Sequence, residues 1–419
     1  MRTIFHVDVN SAFLSWEAVY RLHHLGGTVD LREQVSAVGG DMAMRHGIIL
    51  AKSIPAKKYG IKTGETILEA RQKCPQLLLV PPNYNLYEKC SAAFLEILRQ
   101  YSPVVEQYSI DEAFVDMTDS LSLWGAAEET ANRIREQIKS ELGFTANIGV
   151  SENKLLAKMA SDFRKPNRVH TLWKKEVPIK MWPLPVSDLF FVGRATFKKL
   201  YMLGIYTIGD LAAADPLMLK SHLKKHGEVI WGFANGRDVS VVQPDPPENK
   251  GYGNSTTIAF DVTDAATAKL VLLALSETVG KRLRAAGVRA EVIAVGIKTF
   301  DLGYASHQMT METATDITIE IHRYACRLFD ELWDGRPIRH LGIHTSRVRD
   351  GMNMRQMDMF DTRDYDRIHK MDQTVDEIRR RYGNDSIMRA SFLRSPIDHL
   401  SGGISREKRT VDYDQVKVE

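Results

Sequence analysis

From Thr3 to Val9 apolar and polar positions alternate with the two-residue period of a strand, and Phe13, Trp16 and Tyr20 then recur at helical spacing. Asn10 stands between the two patterns as an expected N-cap, so Asp8 falls at a strand-to-helix corner. Between Arg45 and Pro82 the periodicity fails: Lys52, Lys57, Lys58 and Lys62 mix with Pro55, Gly60 and Gly64, which predicts a small irregular insertion, a flap. From Asn83 regular patterns return. They predict a helix (Tyr87 to Tyr101), a hairpin (Val104 to Met117), a helix striped by Ala127, Ala131, Ile134, Ile138 and Leu142, a strand (Phe144 to Val150) and a helix (Ser151 to Phe163). Such alternation implies an open sheet backed by helices, with Asp8 and the Asp111-Glu112 pair on adjacent strands.

Pro178, Pro183 and Pro185 mark an expected linker into an all-helical stretch from Ser187 to Gly236. The prolines at 244, 246 and 247 place the clearest domain boundary, a hinge, between Gln243 and Gly253. Asn254 to Arg349 then reads strand, helix, strand, strand, helix, strand, which is the split β-α-β order, with Leu272, Leu275, Val279 and Leu283 striping its first helix. A last helix carrying Ile368, Met371, Val375, Ile378 and Tyr382 precedes a polar tail from Ser401 that composition predicts to be mobile. No useful internal repeat is present.

Composition narrows the class. With 419 residues, 44% of them apolar, the chain can bury several cores. Lys and Arg number 56 against 53 for Asp and Glu, so any basic surface must come from local clustering rather than net charge. Cys74, Cys90 and Cys326 form no C-x-x-C pair, which argues against a disulfide framework or structural zinc and fits a reducing cytoplasm. No apolar run approaches the roughly 20 residues of a membrane helix, and no secretory leader is expected.

The candidate chemistry lies in Tyr108-Ser109-Ile110-Asp111-Glu112-Ala113-Phe114-Val115-Asp116, adjacent acids inside an apolar run, taken with Asp8 closing another such run. Singly these acids would pass for turn residues. Carboxylates brought together in half-buried strands repel unless cations hold them, and two magnesium ions on Asp8, Asp111 and Glu112, with the Val9 carbonyl as a further oxygen donor, would suit a triphosphate substrate. Successive strand residues point to opposite faces, so the pair can serve one site only through a local kink or at a strand end. Asp116 lies further down the strand and is left out.

Val7-Asp8-Val9-Asn10-Ser11-Ala12-Phe13, Ser109-Ile110-Asp111-Glu112-Ala113, Gly149-Val150-Ser151-Glu152-Asn153-Lys154-Leu155-Leu156-Ala157-Lys158 and Lys165-Pro166-Asn167 together resemble the Y-family translesion DNA polymerases, nearest the bacterial DNA polymerase IV type, over residues 1–350. The resemblance implies an α+β multidomain polymerase: a palm (1–22 and 83–177), small fingers (23–82), a helical thumb carrying a helix-hairpin-helix (178–242), a linker (243–253), a split β-α-β little finger (254–350) and a C-terminal tail (351–419). It implies Asp8, Asp111 and Glu112 as metal-binding catalytic residues and Phe13 as the steric gate under the sugar. It further implies Lys165 and Lys57 as triphosphate contacts. Ala51 and Ile54 depart from the family, which commonly has threonine and tyrosine there, both touching phosphate.

Phe191-Val192-Gly193-Arg194-Ala195-Thr196 with Lys198 resembles the helix-hairpin-helix, whose turn amides bind DNA phosphate, although only one turn glycine is present. Lys298, Arg347 and Arg349 are candidate contacts on the little finger. Gln356-Met357-Asp358-Met359-Phe360 resembles the peptide that docks bacterial polymerases on the sliding clamp, through Gln356, Met357, Met359 and Phe360. The expected partners are primer-template DNA, deoxynucleoside triphosphates and the clamp; the expected state is a monomer on the chromosome of a bacterial cytoplasm, without proofreading nuclease. The rival readings are a palm-type nucleotide cyclase and a non-catalytic DNA-binding accessory protein.

Overall fold

A computed structural model of the protein describes residues 2–40, 47–245, 247–350 and 363–400. These form two compact units, one drawn from residues 2–39 and 48–245, the other from residues 247–350 and 363–400.

In the first unit, β1 (Ile4–Val9) runs through the middle of a sheet and all six of its residues are buried. The alternation read from the sequence is real, but both faces are covered. Phe5, Val7 and Val9 meet one helical layer, whereas His6 and Asp8 face the other way. The helix Ala12–His24 follows, and its N-cap is Ser11, in the left-handed region at φ 47° with no side-chain cap. Asn10 does not cap it, contrary to expectation, because its side chain is committed across the sheet. The stretch expected to be irregular instead supplies β3 (Ile49–Lys52) and β4 (Leu78–Val80), the two outer strands of a three-stranded sheet with β2 (Ser36–Gly39) between them. Its apolar residues are few but enough for a small core of its own around Ile49, Ile61 and Ile67.

The helix Tyr84–Tyr101 leads to β5 (Val105–Gln107) and β6 (Glu112–Asp116), then through the helix Ala127–Leu142 to β7 (Ala146–Ser151), the helix Lys154–Asp162 and β8 (Val169–Thr171). The strand order is β5-β6-β1-β7-β8, with β1 antiparallel to both neighbours. Gly149 lets the helix Lys154–Asp162 press onto the sheet: a Cβ there would stand 1.9 Å from the Ala157 carbonyl oxygen.

Where a proline linker was expected, Pro178 instead sits in the first turn of a short helix, Val177–Lys180, a position that needs no amide hydrogen. Short helices continue to Ala234. The element before the Gly193 turn is only a three-residue 3-10 turn, Val186–Asp188, where the expected helix-hairpin-helix calls for a helix.

The second unit has β9 (Gly251–Val262), the helix Ala265–Ala285, β10 (Val288–Thr299), β11 (Tyr304–Thr315), the helix Thr318–Leu332 and β12 (Ile338–Asp350), in the expected split β-α-β order with sheet order β11-β10-β12-β9. Both helices pack on one face around Leu272, Val279, Leu328 and Phe329.

The final helix, Tyr365–Tyr382, is present, but its expected apolar stripe does not dock it: Met371 and Tyr382 are 49% and 73% exposed, while Asp372 and Arg379 are buried. Arg379 Nη1 donates to Glu277 at 2.6 Å, and Arg389 also bonds Glu277. Arg284 reaches Asp376 at 2.6 Å and Asp372 at 3.2 Å. Beyond this network Phe392 and Ile397 plug the apolar core. Removing one member of a buried ion pair strands the other. Arg379→Ala is therefore expected to lower stability by about 3 kcal/mol in urea unfolding, and joint replacement of Glu277 and Arg379 by leucine and methionine to recover much of that loss.

Candidate active site

Asp8, the penultimate residue of β1, lies opposite Glu112, the first residue of β6, and the Val9 amide donates to the Asp111 carbonyl at 3.0 Å. The question of how adjacent acids reach one site is answered by the strand end: Asp111 sits in the turn before β6, and only Glu112 belongs to the strand. Ser109 holds that turn, its hydroxyl donating to the Asp111 carboxylate at 2.7 Å.

Each of the paired acids is met by a lysine. Lys165 Nζ lies 2.7 Å from Asp8 Oδ2 and 2.8 Å from Asp162, and Lys158 Nζ lies 2.7 Å from Glu112 Oε2. The electrostatics of the two acids diverge. Burial lifts the Asp8 carboxyl to about 6, and the opposing pull of Lys165 does not cancel it. Burial also acts on Glu112, but bonds from His6 and Lys158 outweigh it and hold that carboxyl down at about 2. For Lys165 burial is overcome by Asp8 and Asp162, and its ammonium is pushed up to about 12. His6 is buried, which lowers its pKa and keeps the ring neutral; its Nδ1 shares a 2.8 Å hydrogen bond with Ser161, and its Nε2 stands 3.5 Å from Glu112.

Lys165 is aimed by a buried amide clamp. Asn10 Nδ2 donates to Asn147 Oδ1 at 3.2 Å, while Asn10 Oδ1 accepts from the Asn167 amide at 2.8 Å and from Thr145 at 3.0 Å. Asn147 in turn donates to the carbonyls of Ser161 and Arg164. The Lys165-Pro166-Asn167 turn is thereby tied to the ends of β1 and β7.

Phe13 is half-buried in the first turn after Asp8, its ring stacked on Tyr87 at 4.5 Å and 9°, with Trp16 and Tyr84 at its edges. Lys57 is exposed on the short helix Ile54–Lys58, whose cap Ser53 accepts from the Ala56 amide. Among the described residues it has no hydrogen bond to the acids. Ala51 is buried against the helix that carries Phe13, and Ile54 is exposed. Gly193, Arg194 and Lys198 are exposed around the start of the helix Arg194–Met202, and Lys298 and Arg347 belong to the sheet of the second unit. Gln356, Met357, Met359 and Phe360 lie outside the described residues.

The structure thus joins Asp8, Glu112 and Lys165 directly and sets Asp111 beside them. Sequence reasoning missed Lys158, His6, Asn10 and Asn147 as site residues. Lys154 and Lys158, one helical turn apart, carried the available signal, since they face Glu106 and Glu112.

Among the described residues no three His, Cys, Asp or Glu side chains close around one point as they now stand. The donor set nevertheless fits hard divalent cations: it is all oxygen, partly buried, and already balanced by ammonium groups that a cation would displace. If Lys165 restrains the Asp8 charge as the geometry indicates, the Asp8 carboxyl of metal-free protein will titrate near 6. Lys165→Met will raise that value, as read by carboxyl NMR, because the opposing ammonium is gone.

Residues 7–162 match the family model described as the impB/mucB/samB family, and residues 249–359 match that of its C-terminal domain. The DNA polymerase IV of Clostridium acetobutylicum is 45% identical over 392 residues, covering 94% of this chain and 98% of that protein. DNA polymerase IV 1 of Bacillus subtilis is 35% identical over 403 residues, covering 96% of this chain and 95% of its own length. A solved Y-family DNA polymerase chimera shares the fold with a TM-score of 0.69 at 20% identity, covering 83% of this chain and 99% of its own. With strand-end acids, paired lysines and a split β-α-β unit in the matched order, the chain belongs to the Y-family DNA polymerases, of the DNA polymerase IV type.

Proposed function

We propose that this chain is a template-directed DNA polymerase that adds deoxynucleotides to a primer 3′-end across damaged or distorted template. The observation that carries the reading is the register of Asp8 against Glu112, with Asp111 locked at the same strand end and Lys165 reaching the Asp8 carboxylate.

Asp8, Asp111, Glu112 and the Val9 carbonyl would hold two divalent ions, magnesium in this reading, which supply activation of the primer hydroxyl and neutralisation of the leaving pyrophosphate. Lys165 then has a second role: an ammonium released from Asp8 is free to meet the triphosphate as a point charge. Lys158 and His6 keep Glu112 ionised well below neutral pH. Asp8 is different, because protons compete for it as the pH drops through about 6. Phe13, braced on Tyr87, cannot recoil from a ribose 2′-hydroxyl without breaking its stack. Lys57 would add charge from the small three-stranded sheet, where alanine and isoleucine at positions 51 and 54 forgo two phosphate hydrogen bonds.

The exposed amides and cations at Gly193, Arg194 and Lys198, and the open sheet face bearing Lys298, would hold primer-template through its backbone, without sequence readout. Arg347 is exposed and adopts φ 52° within β12, a strained conformation that fits a side chain kept for phosphate contact. The peptide at 356–360 would raise local concentration through a sliding clamp. Among the described residues no helix is long and apolar enough to cross a membrane. A monomer acting on the bacterial chromosome completes the proposal.

Primer extension in magnesium tests it. Asp111→Ala should reduce extension to background while DNA binding persists; undiminished extension would refute the site. Phe13→Ala should cut discrimination against ribonucleotides by about a hundredfold, the range in which a bare steric wall operates, and unchanged sugar selection would remove the gate.

A further inference from the structure

Across the central sheet of the first unit the pairings put Glu112, Asp8 and Asn147 in one row with Asp8 in the middle, so the three side chains share a face. The row extends two acids with an uncharged amide. Asn147 is completely buried and uses its full hydrogen-bonding capacity. Its Oδ1 accepts from Asn10 Nδ2 and from the Arg168 amide, each at 3.2 Å, and its Nδ2 donates to the Ser161 carbonyl at 3.0 Å and to the Arg164 carbonyl at 2.9 Å.

Arg164 and Arg168 flank the turn that carries Lys165, so a single side chain holds both ends of that turn. Asn10 holds its middle, accepting from the Asn167 amide at 2.8 Å while the Thr145 hydroxyl fixes the same oxygen at 3.0 Å. The Ser161 carbonyl lies in the last turn of the helix Lys154–Asp162, where carbonyls lack partners within the helix, and Asn147 supplies one. Four bonds of the two asparagines thus go to main-chain atoms between residues 161 and 168, and the Lys165 ammonium is left to Asp8 and Asp162. Asn167 takes φ 56°, in the left-handed region, a backbone state that persists where its surroundings over-determine it.

A lysine is a point charge on a flexible four-carbon stem. On a fixed main chain it can pass from one anion to another by side-chain rotation alone; on a loose turn the main chain would have to be ordered as well, at a cost in affinity.

We infer that Asn147, together with Asn10, is a positioning residue for nucleotide binding: it holds the turn 164–168 so that Lys165 can exchange Asp8 for the triphosphate while the main chain stays in place. The inference rests on the reading of Lys165 as a triphosphate contact.

Single-turnover insertion of one deoxynucleotide in magnesium, across nucleotide concentrations, separates the apparent nucleotide Kd from the maximal rate. Asn147→Ala should raise that Kd about tenfold, the worth of one or two buried hydrogen bonds, while a labelled primer-template binds with wild-type affinity by anisotropy. Asn147→Ser, which keeps one short hydrogen-bonding arm, should raise it about threefold and decides the matter where the alanine variant does not fold. Action through Lys165 has its own signature, non-additivity. Lys165→Met raises the Kd by itself, and Asn147→Ser added to it should change the Kd little further. An equal effect of Asn147→Ser with and without the Lys165 ammonium, a wild-type nucleotide Kd in the Asn147 variants, or a parallel loss of primer-template affinity overturns the inference. A wild-type Kd in Lys165→Met alone removes Lys165 from the triphosphate and overturns the reading beneath the inference as well.

Discussion

The compensation of buried carboxylate charge by lysine is the constraint around which the first unit is organised. Asp8 and Glu112 lie opposite each other on neighbouring strands, and two anions in partly buried strands would drive each other toward protonation or expel the strands from register. Lys158, on the face of the helix Lys154–Asp162, helps hold Glu112 ionised, and Lys165, in the turn after that helix, opposes without cancelling the upward shift of Asp8. The close seat of that helix on Gly149 thus bears on the candidate site, since it sets where Lys158 can reach.

The two acids are compensated unequally, and the inequality is useful. Glu112 has a lysine and an imidazole, which hold its carboxyl down at about 2; Asp8 has one shared lysine and deeper burial, and its carboxyl is lifted to about 6. In the proposed reading, a site that takes up cations and releases them would gain from one strongly ionised acid and one whose charge is conditional. The lysine on Asp8 is shared with exposed Asp162 and sits at a turn end, so it can leave without unpacking the sheet.

The second unit separates its tasks by face. One side of the sheet is an ordinary apolar core, and the other lies outside it and bears Lys298. Behind the helices, the last helix is secured by ion pairs and two apolar plugs, Phe392 and Ile397, rather than by a stripe. The match to the family's C-terminal domain ends at residue 359, so this docked helix lies beyond the part that it describes.

Strand and helix positions around the five-stranded sheet and in the second unit were legible because their apolar periods are long and regular: β1, the split β-α-β order and the helices ending at Tyr101 and Leu142 follow from local pattern. The acids were legible because adjacent carboxylates inside an apolar run demand compensation. What compensates them was not, since Lys158 and His6 stand 46 and 106 residues from Glu112 along the chain and meet it only when β6, β1 and the helix Lys154–Asp162 assemble. Asn10 shows the limit best. Local rules make it an N-cap, yet it spans the sheet to Asn147 and Asn167, because a buried amide takes whichever partners the fold brings within reach. The last helix fails the same way: its apolar stripe is visible in sequence, but docking went to the buried charges that find partners on another helix. Local chemistry written in neighbouring residues was determined by the sequence alone; pairing between distant charges, and which side of a strand meets solvent, was decided by tertiary packing, because those energies exist only once the partners are adjacent.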